Sequence, residues 1–178
     1  MWLKLNLEDI NFHFQINKYR KSTRENWDCE WCRVDLTLQS RDWLNYQIHD
    51  AETMLATEVE ELRDGIDALL RDGLEEPKKI TCIEPDFEFQ LHPKADVRNN
   101  PDVIYVKPGH EIIDIDMDLV VSFWDDDGAL TANRMILAFD RENLEKLLCY
   151  LRLITGLVDE NDEQVQSLIA DGSLYGNI

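Results

Sequence analysis

The chain has 178 residues, 44% hydrophobic and 9% aromatic, with 37 acidic against 18 basic side chains and a net charge of −19. A chain of this length buries roughly 70% of its unfolded surface, so it needs no disulfide or metal staple, and the composition excludes disorder as the default. A field of that sign repels nucleic acid and anionic membrane and draws in basic partners.

Leu3, Leu5 and Leu7 alternate with polar residues, and Ile10, Phe12, Phe14 and Ile16 do the same. A two-residue turn at Glu8 and Asp9 sets Leu7 opposite Ile10, Leu5 opposite Phe12 and Leu3 opposite Phe14, with every apolar side chain on one face. The same stretch, with its early charges, lacks the apolar run of a secretory signal. Lys18 to Asn26 is a basic loop carrying Lys18, Arg20, Lys21 and Arg24. Cys32, Val34, Leu36 and Leu38 make the next strand, with Trp31, Arg33, Asp35 and Thr37 on its other face, and Leu44, Tyr46 and Ile48 return it. Asp50 to Ala56 leads into a helix. There Thr57 and Glu60 form a capping box, Leu55, Val59, Leu62, Ile66, Leu69 and Leu70 fall on one stripe, and Gly73 supplies a left-handed stop.

Ile80 and Cys82 face Phe87, Phe89 and Leu91 across a turn containing Pro85. His92 to Asn100 reads as a loop and Asp102 to Val106 as a short strand. Ile113, Ile115, Met117, Leu119, Val121 and Phe123 alternate along one strand, which Asp125 to Gly128 reverses into Leu130 to Phe139. A three-residue loop, Asp126 to Gly128 with Gly128 left-handed, pairs Leu119 with Met135, Met117 with Leu137 and Ile115 with Phe139. It also sets Arg134 diagonal to Asp118. Asp140 caps a second helix, with Leu144, Leu147, Leu148, Leu151 and Ile154 on one side and Gly156 ending it. The prediction is an α+β fold: a largely antiparallel sheet of about eight to nine strands packed by two amphipathic helices. One domain covers 1–157, and 158–178 is an acidic, mobile tail with a short helix from Glu163 to Ala170.

Catalytic signatures are missing from the sequence, which implies no cofactor and no metal. Cys29 and Cys32 form a CxxC that runs into a strand, whereas thioredoxin-like chemistry wants it at a helix N-terminus, and a zinc site wants a second pair. With Cys82 and Cys149 they read as reduced cytoplasmic thiols. Asp125, Asp126, Asp127 and Gly128 lack the alternate carboxylates of a calcium loop. Asp114, Asp116 and Asp118 line one strand face. A solvated face is the plainer reading, and an acidic ladder for a basic partner, extended by Asp125 to Asp127, is the sharper one. Trp31 and Trp43 lie off the core face, where tryptophan marks either an interaction surface or packing against another layer.

Three stretches carry a resemblance. Asp28-Cys29-Glu30-Trp31 enters an alternating strand, Thr57-Glu58-Val59-Glu60-Glu61-Leu62 opens a helix, and Ile83-Glu84-Pro85-Asp86-Phe87-Glu88-Phe89 follows it. In that order, over roughly residues 10 to 155, the pattern resembles the WapI family of bacterial immunity proteins. Cysteines flank the tryptophan where the family has small and apolar residues, and the acidic tail goes beyond the pattern. The resemblance implies a cytoplasmic antidote, without turnover, that binds and blocks the toxic domain of a polymorphic toxin from the same cell. The charge favours a basic partner, such as a nuclease domain whose nucleic-acid site the antidote occupies by mimicry. The alternatives are a small-ligand or hydrolytic enzyme with a pocket between sheet and helices, and a structural subunit of an assembly.

Overall fold

The computed structural model describes residues 1–23, 25–99 and 103–176. Arg24 in the basic loop, Asn100, and Asp102 at the start of the expected short strand lie outside them. Among these residues eleven strands and three α-helices follow one another as β1 (Trp2–Leu7), β2 (Ile10–Asn17), β3 (Trp31–Ser40), β4 (Leu44–Leu55), α1 (Ala56–Leu70), β5 (Lys78–Thr81), β6 (Phe87–His92), β7 (Ala95–Asp96), β8 (Ile112–Ile113), β9 (Asp116–Trp124), β10 (Leu130–Phe139), α2 (Arg141–Ile154), α3 (Glu163–Ala170) and β11 (Leu174–Tyr175), with one 3-10 turn at Val97–Asn99. A five-stranded sheet runs β11-β1-β2-β3-β4, a four-stranded one β10-β9-β6-β5, and β7 pairs with β8; every pairing is antiparallel.

The β1–β2 register is Leu3 to Phe14, Leu5 to Phe12 and Leu7 to Ile10, as the alternation predicts. The apolar faces of the two large sheets meet edge-on at Phe12 and Phe139, whose ring centroids are 5.2 Å apart. Helices α1 and α2 fill the rest of the core with Val59, Leu62, Ile66, Leu144, Leu147 and Leu151, all buried. Tyr150 of α2 accepts a hydrogen bond from the Ile16 N–H at 2.7 Å and donates to the Met1 carbonyl, tying the helix to the first hairpin.

β4 continues to Leu55 where a connector was expected from Asp50. Two register shifts against β3, between Cys32 and Arg33 and between Val34 and Leu36, break the alternation that would have revealed it. Buried Asp35 holds this irregularity, accepting from the Asp50 N–H at 3.0 Å, from Asn17 and from His49 Nδ1, while Asp50 sits at φ 46. Because the strand runs straight into α1, Leu55 becomes the N-cap, and leucine has no side-chain acceptor. Glu58 supplies the return half of a capping box, accepting from the Leu55 N–H at 2.8 Å and from the Ile83 N–H at 2.6 Å. The expected pair of Thr57 and Glu60 is used otherwise. Glu60 accepts from the Tyr19 hydroxyl and from the backbone and hydroxyl of Ser22, which ties residues 19–22 to α1.

At the other end of α1, Asp72 takes the left-handed position at φ 55, not Gly73. Gly73 donates to the Ala68 carbonyl at 2.8 Å, completing a Schellman motif, and a Cβ there would lie 3.1 Å from that same oxygen. Close approach, not φ, calls for this glycine.

Between β6 and β9 the expected loop of 92–100 contains β7, and residues 103–106 form no strand. The expected long strand breaks at Asp114 and Ile115 into β8 and β9. The β9–β10 loop is Asp126 to Gly128, with Gly128 at φ 74 and the Asp125 N–H donating to the Ala129 carbonyl. Beyond Leu130 and Trp124 an irregularity in β10 shifts the register by two, so Met135 meets Val121, Leu137 meets Leu119 and Phe139 meets Met117. A shift of two preserves facing, so the core side is unchanged, but Arg134 now lies opposite Ser122 and donates to its hydroxyl instead of flanking Asp118.

The Asp140 cap of α2 and the left-handed Gly156 stand as expected. Residues 158–176, expected as part of a tail, pack into the same body. Val165, Leu168 and Leu174 are buried, and β11 adds to the edge of β1 with the Lys4 N–H donating to the Ser173 carbonyl at 2.7 Å.

Candidate partner-binding rim

Trp43 lies in the β3–β4 turn and is 64% exposed. The long-range contact of Tyr46 on Phe123, 5.2 Å between ring centroids, sets this hairpin beside the end of β9. The β5–β6 turn joins them: the Asp86 carbonyl accepts from the Ser122 N–H, and its carboxylate from Trp124 Nε1, both at 2.9 Å. Burial, and after it the charge of Asp86, pushes the Tyr46 phenol above its ordinary range. Trp43, Trp124, Ile83 and Leu130 thus form an exposed apolar rim. The segments 42–46, 83–86 and 123–130 that carry it contain Asp42, Glu84, Asp86, Asp125, Asp126 and Asp127 and no Lys or Arg.

Asp125 is occupied within its own loop, accepting from the Asp127 N–H at 3.1 Å and the Ala129 N–H at 2.7 Å. Among the described residues, Asp126, Asp127, Asp42 and Glu84 have no ion-pair partner, and Arg41, next to Asp42, reaches Asp9 at 3.5 Å.

The other residues singled out in the sequence lie elsewhere. Asp114 sits between β8 and β9, where Arg141 at the start of α2 grips it through Nε at 3.0 Å and Nη2 at 2.8 Å and holds its carboxyl down at about 2. Asp116 and Asp118 share the outer face of β9, with Asp118 3.5 Å from His92. Burial pushes Asp116 up, His92 pulls it down and Asp118 pushes it up again. Trp31 opens β3 half-buried opposite Leu55, roughly 30 Å along the strand from Trp43 at about 3.3 Å per residue. Trp124 and Asp86 were missed. Trp124 follows Phe123 on the polar phase of β9, the same off-core signal that picks out Trp31 and Trp43.

Cys29 is exposed and Cys32, Cys82 and Cys149 are buried as free thiols. Burial, and after it the charges of Glu58, Glu30 and Glu60, pushes the Cys32 thiol up to about 12, opposite to an activated thiol. Among the described residues no group of three or more His, Cys, Asp and Glu side chains is placed to hold a metal ion. No helix there is long and apolar enough to cross a membrane. Between the two large sheets and the helices lies a void of only ≈ 10 Å³, lined by apolar side chains, Phe12, Leu62, Phe87 and Phe139 among them, and a pocket of ≈ 340 Å³ opens between the end of α1 and the β7–β8 pair. A wider groove of ≈ 550 Å³ lies outside, between α1, α2 and α3, where Arg152 pairs with Asp67 and Lys146 with Glu142.

The structure therefore joins an α+β scaffold with an apolar core to an acidic, aromatic outer rim. The immunity protein WapI-like family model matches residues 3–156, and the chain belongs to that family. No curated protein and no solved structure matches it.

Proposed function

We propose that this chain is a cytoplasmic inhibitor that neutralises the toxic domain of a cognate polymorphic toxin by binding it, with no turnover of its own. Membership of an immunity protein family across residues 3–156 carries this reading. The rim supports a basic partner: unpaired Asp126 and Asp127 attract it, and Trp43 and Trp124 offer large, rigid side chains to bury against it. The test is co-expression with the toxic domain encoded by the open reading frame beside this gene. Protection of the host cell, and a complex whose affinity falls with added salt, is the expected result. A toxic domain that kills equally with and without this chain would overturn the proposal, and salt-independent binding would remove the acidic steering from it.

A further inference from the structure

The outer face of the five-stranded sheet has a chemistry unlike the rest of the molecule. Asn6 pairs with Asn11, Asn11 with Gln39, and Gln39 with Asn45, so one row of amides crosses four strands. The next row continues it with His13, Thr37 and Gln47, with Lys4 at its end. In a chain with 31% charged residues, the first row carries no charge. Asn6, Asn11, Gln39 and Asn45 are exposed, and among the described residues the side chains of Asn6, Asn11 and Gln39 make no hydrogen bond. Gln47 reaches Asn45 at 3.4 Å. Lys4 is the one charge beside the row; the others lie toward the far end of this face and are already engaged, Arg33 with Asp50 and Glu52, and Asp35 with Asn17 and His49.

From this we infer that the amide row is the contact core of the partner interface, adjoining the acidic rim that guides the basic toxic domain to it; the inference rests on the proposed function. Continuity places the two together, because Trp43 stands in the turn between Gln39 and Asn45. Each amide offers both donors and an acceptor, so the row pairs with a neutral polar surface in either sense. Burying paired amides avoids the desolvation of burying carboxylates, and the centres of interfaces are depleted of charge for that reason. Rim and row then govern different rates: the charges set association and the amides set dissociation.

Stopped-flow and dissociation kinetics of the full chain with the toxic domain encoded beside its gene test this. The triple variant Asn11→Ala, Gln39→Ala, Asn45→Ala keeps the net charge. It is expected to dissociate about tenfold faster, with association and its salt dependence unchanged within about twofold. A folded triple variant that dissociates like the wild type overturns the inference and leaves the proposed function standing. No binding by the wild type overturns both. A triple variant changed only in its own self-association overturns it in favour of a face that pairs two copies. If the triple variant does not fold, side-chain amide NMR signals of the unmodified protein decide: shifts at Asn11, Gln39 and Asn45 on adding the toxic domain support the inference, and unmoved signals overturn it.

Discussion

Glu58 at the start of α1 and Asp126 in the β9–β10 loop are both carboxylates on turns, and the fold uses them in opposite ways. Glu58 is buried and holds two backbone N–H groups, one from β4's last residue and one from the β5–β6 turn. Asp126 is exposed and, among the described residues, has no ion-pair partner. Asp114 falls between them, exposed but neutralised by Arg141. Net charge counts all three alike. What a partner can use is only the fraction left over after helices, turns and neighbouring strands have taken their share.

The sharpest way to break this division is Glu58→Ala. It strands the buried N–H of Leu55 and the part-buried N–H of Ile83 and is expected to cost about 2 kcal/mol, lowering Tm by roughly 4–8 °C. Thermal melting checks it, and a shift below about 2 °C would move Glu58 into the dispensable group. Trp43→Ala should do the reverse, leaving the melt unchanged within about 0.5 kcal/mol while weakening partner binding by about thirtyfold, read by calorimetry. Asp126→Asn with Asp127→Asn is expected to slow association about five- to tenfold at low salt and to converge on the wild type as salt rises. A variant with an unchanged association rate refutes the role of the loop. Asp114→Asn should change neither association by more than about twofold nor stability by more than about 0.5 kcal/mol, since its pair is solvent-screened. Its pH signature is nevertheless distinct. Arg141 depresses the folded carboxyl to about 2, below the ordinary value of 3.8, so its contribution is present above that value and lost as pH falls toward 2. The variant should lack that acid-side loss in a pH series of melts.

Local signals carried much of the fold. The first hairpin register, the Asp140 cap, the span of α3 and the three-residue loop ending at Gly128 all depend on neighbours in sequence, and alternation, capping chemistry and glycine placement report on neighbours. The failures share a cause as well. Irregular pairing hid the length of β4 and moved the α1 cap from Thr57 to Leu55, and an irregularity in β10 moved Arg134 away from Asp118. Each was decided by a partner strand. The rim was half legible for the same reason: Trp43 and Asp125 to Asp127 stood out one by one, whereas Tyr46 against Phe123 and Trp124 against Asp86 are meetings across many residues.

The placement of β11 against β1 bears on the order in which the molecule assembles. Tyr175 donates to His13 Nδ1 or accepts from it at 2.6 Å, across 162 residues of chain. Closing a loop of that length costs about 4.5 kcal/mol in its logarithmic part alone, for a strand of two residues. β11 is therefore expected to dock after the sheets and α2 have formed, an order that pulse-labelled hydrogen exchange at the Lys4 N–H would read, and until then the outer edge of β1 is open. During that interval β1 has β2 as its paired neighbour, and its other edge is open to strands of other chains.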